Sequence, residues 1–209
     1  DIPTDVINNT FYLSRMGSKV FGASIETSDD DYIGFMKPSD DDLYPYKNKI
    51  YGFGPKPTVF EQWQKEHLVY DDHEFDMAIY SIVKIASMAF KGAPNALEVL
   101  FCDNKHAVIT SKASDFIKSH ATEFVSRSST DRMFGFAKSE YKSVWEKNDQ
   151  NVDYKKSAYH AVRLFKQCIS LLKHKSMVLD ENSVLLTEIR TGVYSFEDII
   201  DLMEQLKFD

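Results

Sequence analysis

Near the N-terminus, Ser28-Asp29-Asp30-Asp31-Tyr32-Ile33-Gly34 sets three carboxylates at the entry to an apolar stretch. Residues two apart in an extended chain leave the same face, so Asp29 and Asp31 converge while Asp30 points the other way. Two like charges on one face repel, which makes the pair a poor structural device. It makes a good Mg²⁺ site, because a hard dication takes one or two carboxylates and completes its shell with water and substrate phosphates. Upstream, Gly17-Ser18 offers a turn with unobstructed backbone N–H groups and a hydroxyl, both suited to phosphate oxygens. A third acid is then expected on a neighbouring strand. Asp76, between Phe75 and Met77, has the apolar–acid–apolar form, with Glu74 as the alternative. Each feature alone has a plainer reading: an acidic surface turn for Asp29 to Asp31, and an acid at a helix N-terminus for Asp76. Only the combination points to phosphate chemistry.

Hydrophobic periodicity indicates the elements that must hold these groups. Phe11-Tyr12-Leu13 reads as a strand leading into Gly17-Ser18, and Tyr32 to Met36 as a second strand ending before Pro38. Residues 38–66 read as a long loop punctuated by prolines and glycines. Its aromatics between 44 and 60 suit stacking of a base or acceptor, or are simply scattered along a loop. A short strand Phe75-Asp76-Met77 and a helix from about Ile79 to Phe90, ended by Gly92 and Pro94, follow. Beyond residue 101 the spacing is helical. Phe116, Ile117, His120 and Phe124 recur at that period, as do Phe134, Ala137, Tyr141 and Val144. The longest face runs through Tyr154, Ala158, Val162, Phe165, Ile169 and Leu172. Ser195 and Asp198 form an acidic capping box for a last helix reaching about Leu206. The fold class is α+β followed by α, with expected domains 1–101 and 102–209.

The chain has 209 residues, of which 43% are hydrophobic and 13% aromatic, ample for a buried core. Its formal net charge of -7 argues against a polybasic nucleic-acid binder. The charge is unevenly spread. Residues 1–100 carry 16 acidic and 9 basic groups, 101–175 carry 8 and 14, and 176–209 carry 8 and 2. On the long helix, Lys156, His160 and Arg163 fall on one stripe beside the apolar face, where they can face the acidic site and neutralise phosphates, or form an ordinary solvated edge. Lys84 and Arg127 could also reach phosphate. Cys102 and Cys168 read as buried free thiols with no disulfide partner. His67, His73 and His106 lack metal-ligand spacing, so zinc is not expected. With no bilayer-length apolar run and no signal-peptide pattern, a soluble cytoplasmic protein is expected.

Gly-Ser, then Asp-x-Asp on a strand, then a third acid resembles the nucleotidyltransferase superfamily typified by DNA polymerase β. The likeness sharpens toward the RNA-ligase-associated predicted nucleotidyltransferases, often phage-encoded. Ser28 to Gly34 is similar to their S-D-x-D-x-x-G, and Asp76 with Ile82-Val83-Lys84-Ile85 to their acid and L-x-K-F helix. Lys91 to Phe101 resembles K-G-N-P-N-x-x-E-x-L, with Ala93 where Asn is more usual. Phe134-Gly135-Phe136-Ala137 parallels an aromatic-G-Y-A helix start, Lys156, His160 and Arg163 parallel K-x-x-x-H-x-x-R-L, and Ile189-Arg190-Thr191-Gly192 matches I-R-x-G. Together these segments cover residues from about 13 to 200.

The resemblance implies a small mixed sheet with flanking helices and transfer of a nucleoside monophosphate from a nucleoside triphosphate, with release of pyrophosphate. It implies catalytic, metal-binding roles for Asp29, Asp31 and Asp76, holding Mg²⁺ (or Mn²⁺) ions roughly 3.5–4 Å apart astride the α-phosphate. Gly17, Ser18, Lys84, Lys156, His160 and Arg163 would bind the nucleotide. The acceptor it implies is RNA, as in tRNA end repair or modification, in the host cytoplasm where the gene is a phage's. A protein-nucleotidylating, antitoxin-like enzyme and a non-catalytic nucleotide- or RNA-binding module are the other readings. Retention of all three acids speaks against the module.

Overall fold

A computed structural model describes residues 2–38 and 61–208; the aromatics between 44 and 60 lie outside the described residues. The elements are α1 (Thr4–Asn9), β1 (Thr10–Met16), β2 (Asp30–Met36), β3 (Gln62–Tyr70), β4 (His73–Ser81), α2 (Ile82–Phe90), α3 (Pro94–Phe101), β5 (Ala107–Ile109), α4 (Lys112–Ser119), α5 (Arg127–Asp149), α6 (Lys155–His174), α7 (Ser183–Thr191) and α8 (Phe196–Phe208). The strands form one mixed sheet in the order β3-β4-β2-β1-β5. Neighbours are antiparallel except β2 and β4, which run parallel. The α+β class and the helical C-terminal region are as expected.

Among the differences from the sequence reading, three shape the sheet, each for a local reason. The strand around Asp76 runs on to Ser81 because Ile79 and Tyr80 are buried in the sheet. Its helix therefore starts at Ile82, where the Ser81 hydroxyl accepts the Lys84 N–H at 3.1 Å. Strand β3 occupies the end of the expected loop. It is the sheet's edge, with Gln64 to His67 all exposed, so no alternation marks it. Finally, β5 joins β1 from beyond residue 101, so the sheet draws on both expected domains.

One face of the sheet packs against the helices. Tyr12, Phe35 and Tyr80 from the strands share a core with Leu97, Leu100, Val162 and Phe165. On the other face, Leu13, Met36, Leu68, Met77 and Ile79 cluster with Val6 of α1. Between α2 and α3, Gly92 has φ +72° and a Cβ there would lie 2.0 Å from the Ser129 carbonyl oxygen, so only glycine lets the chain pass α5. Pro94 then opens α3 at its first turn, where a missing N–H costs nothing. Paired serine capping boxes start α4 (Ser111, Ser114) and α5 (Ser126, Ser129). Helix α6 is the spine of the helical region, with buried residues from Ser157 to Leu171. Both cysteines are buried free thiols. Among the described residues, no helix is long and apolar enough to cross a membrane.

Candidate active site

At the end of β1 the chain turns through Gly17, whose φ is +68°. That left-handed step opens a short 3₁₀ turn, Gly17–Lys19, directly beside Asp31. In register, Asp31 of β2 sits opposite Asp76 of β4. Partners on parallel strands project to the same side, so both carboxylates reach the face that packs on the helices. Asp30 goes the other way, as alternation requires: its Oδ2 lies 2.6 Å from Lys19 Nζ and its Oδ1 3.3 Å from Arg15 Nε. Asp29 precedes the strand and is exposed. Burial, then the charges of Asp76 and Asp29, push the Asp31 pKa above the ordinary carboxylate value, while Lys156 pulls it down. Asp31 thus lies within electrostatic reach of both Asp76 and Asp29.

Asp31 and Asp76 line a cavity of about 290 Å³ between sheet and helices, with Gly17 and Phe21 beside them. The opposite wall comes from α3 and α6: Asn95, Glu98, His160 and Arg163. A second, polar hollow of about 290 Å³ adjoins it at the sheet end, lined by Ser28, Asp29, His67 and Glu74 among others. Asp76 belongs to both. Its Oδ1 accepts the His67 N–H at 2.9 Å, made available by a bulge in β3 where His67 has φ 54°. Glu74 is engaged with His67 Nδ1 and faces only the second hollow of the two. Of the two acids considered for the third position, Asp76 is the one beside Asp31.

Not every expected nucleotide ligand reaches this place. Ser18 lies in the turn but does not line the cavity; its carbonyl accepts the Ala23 N–H at 2.9 Å. Lys84 points away, with Nζ 2.8 Å from Glu61 Oε2, because its place on α2 turns it toward the strand edge. Arg127 is exposed at the start of α5. Lys156 is exposed at the start of α6, near enough to act on Asp31. His160 and Arg163 do line the cavity, but not as a plain cationic stripe. Burial, then the charges of Arg163, Lys156 and Arg190, push the His160 pKa down to about 3, so its ring is neutral. Arg163 is only 8% exposed and is ion-paired to Glu98, itself 5% exposed.

Two site residues had no role in the sequence reading beyond a motif match. Glu98 is one; a buried acid is visible only once its partner is known. Arg190 of α7 is the other: its Nη1 donates to Ala23 O at 2.9 Å and to Ser28 Oγ at 3.2 Å, fastening the segment that leads into the acidic strand.

The donor set fits a hard dication. Among the described residues, no group of three or more His, Cys, Asp or Glu side chains is placed to hold a metal by itself. Mg²⁺ does not require one, since it binds through one or two carboxylates with phosphate oxygens supplying the rest. Asp31 and Asp76, adjacent and mutually repelling, meet that condition.

Comparison with known proteins adds the following. The sequence profile of a family described as the RNA repair pathway DNA polymerase beta family matches residues 4–206. No curated protein matches the chain. Seven solved chains match. Among them is a nucleotidyltransferase-like protein from Exiguobacterium sibiricum 255-15, with a TM-score of 0.39 and 11% identity, covering 96% of this chain and 68% of that one.

Proposed function

The chain belongs to the RNA repair pathway DNA polymerase beta family and is thereby a nucleotidyltransferase; from that premise we propose that it transfers a nucleoside monophosphate to a hydroxyl of an RNA. In this reaction the acceptor oxygen bonds to the α-phosphorus of a nucleoside triphosphate, the bond from that phosphorus to the bridging oxygen breaks, and pyrophosphate leaves. The observation that carries the reading is the Asp31–Asp76 register pair facing Arg163 and His160 across one cavity.

Asp31 and Asp76, with Asp29 at their edge, would hold Mg²⁺ (Mn²⁺ in its place), which when bound neutralises phosphate charge and acidifies the acceptor hydroxyl. The chain's own part is positioning, which carries most of phosphoryl-type transfer. Gly17 has no side chain to intrude between the turn and Asp31. Arg163, its charge balanced by Glu98, brings guanidinium N–H donors to the far wall that can meet phosphate oxygens. His160 is neutral and contributes a hydrogen bond rather than charge. Lys156 adds charge near the acids. The polar hollow that shares Asp76 suits the acceptor hydroxyl, because carboxylates there can accept its proton.

The family description favours RNA as acceptor. Incubation with each triphosphate labelled at the α- or γ-phosphate, Mg²⁺ and a pool of RNA tests this. Label from the α-position should enter RNA, and label from the γ-position should appear in pyrophosphate. Label on protein and none on RNA would refute the RNA acceptor; no transfer from any triphosphate would refute the activity.

A further inference from the structure

Glu98 lies within α3 between Leu97 and Val99 and is 5% exposed. A carboxylate so placed is costly unless paired and hydrogen-bonded. Its partner is Arg163, whose Nη1 donates to Glu98 Oε1. Other groups also fix the guanidinium. Its carbon stands 4.3 Å from the centre of the Phe21 ring, Nη1 is 3.5 Å from Gln167 Oε1, and Nη2 is 3.5 Å from His160 Nδ1. Nε, also buried, has no hydrogen-bond partner among the described residues. Apolar side chains of similar volume often replace such a buried pair at little cost in stability. The ion pair stands at the wall of the cavity that holds Asp31 and Asp76.

We propose that Glu98 is a positioning residue for the triphosphate: it holds the Arg163 guanidinium over Phe21, beside His160, so that both present donors to phosphate oxygens. The inference rests on the nucleotidyl transfer proposed above. An arginine N–H only donates, so His160 Nδ1 must accept, which puts the ring proton on Nε2. Nε2 then carries the N–H that can donate, and His160 lines the cavity. Glu98 also keeps Arg163 from the wrong acids. The other carboxylates lining the cavity are Asp31, Asp76 and Glu66. A guanidinium drawn to Asp31 or Asp76 would neutralise them before a cation or substrate could.

A double-mutant cycle tests this, using wild type, Glu98→Gln, Arg163→Met and the double variant. Equilibrium binding of each of the four ribonucleoside triphosphates, KM and kcat for transfer, and thermal melting are measured for all four proteins. Glu98→Gln is expected to weaken triphosphate binding about tenfold, a coupling common for residues in one network. It should raise KM more than it lowers kcat, and lose its effect in the Arg163→Met background. Unchanged binding in folded Glu98→Gln overturns the proposal. So does a loss that persists in full without Arg163, since Glu98 would then act by another route. If Glu98→Gln does not fold, Glu98→Asp with Arg163→Lys gives the same cycle with the same deciding outcomes. A wild-type chain that transfers nucleotide but shows no coupling defeats the positioning role alone. A wild-type chain that neither binds nor transfers nucleotide defeats the function, and the positioning role with it.

Discussion

Replacing Gly17 by alanine makes two demands on the chain. The residue sits at φ +68°, where an L side chain costs about 1–2 kcal/mol. Its Cβ would lie 2.0 Å from Asp31 Oδ2, whereas ordinary van der Waals contact begins at 3.4 Å, so the carboxylate must retreat by more than 1 Å. The colliding atom is the end of a side chain, so the fold survives. The expected loss of stability is therefore about 1–2 kcal/mol, or roughly 2–8 °C in Tm for a chain of this size. Activity should suffer more, because a displacement on the order of 1 Å at a reacting centre costs about 10²-fold in rate. Label transfer from the α-phosphate and a melting curve read the two effects separately. A folded Gly17→Ala chain transferring nucleotide within about threefold of wild type would refute the reasoning, since Asp31 could then tolerate displacement.

Asp31→Asn should abolish transfer yet raise Tm at neutral pH, because it removes a carboxylate held against burial and two neighbouring charges. The pH dependence follows in sign: the folded chain binds the Asp31 proton more tightly than the unfolded one, so this group's contribution to stability falls as pH rises from the ordinary carboxylate range through its raised value. Melting curves across acid pH should show that fall in wild type and less of it in Asp31→Asn. Glu98→Ala, leaving Arg163 buried and unpaired, should cost about 3–5 kcal/mol in urea titration, and Glu98→Met with Arg163→Met should recover most of it. Lys84→Ala should leave transfer within about twofold and cost only about 0–1 kcal/mol, because its ion pair with Glu61 is partly solvated and outside the cavity.

The acidic strand was legible because its period of two is a property of extended backbone: Asp30 is paired on one face with Lys19 and Arg15, and Asp31 reaches the cavity on the other. Asp76 was legible for the same reason, although its strand extends five residues past it to Ser81. Edge strand β3 was not, since only Leu68 is buried in it and its hydrogen bonds come from β4. Helix α3 was hidden by the proline that opens it. The direction of Lys84 could not be read, because spacing places a residue on a helix but does not say what its tip meets. The charge state of His160 depends on burial and then on four cations brought together by the fold, two from α6 and one each from α7 and α5. In sequence it looked like part of a positive stripe.

The central claim is that Asp31, and not its neighbour Asp30, works on the nucleotide. Side-by-side rates of α-label transfer for Asp31→Asn and Asp30→Asn test it most directly. Asp31→Asn is expected to lose at least about 10²–10³-fold, as when a group stabilising transition-state charge is removed. Asp30→Asn breaks only the pairing with Lys19 and Arg15 and should stay within about threefold of wild type. Equal losses in the two variants, or an active Asp31→Asn, would contradict the claim.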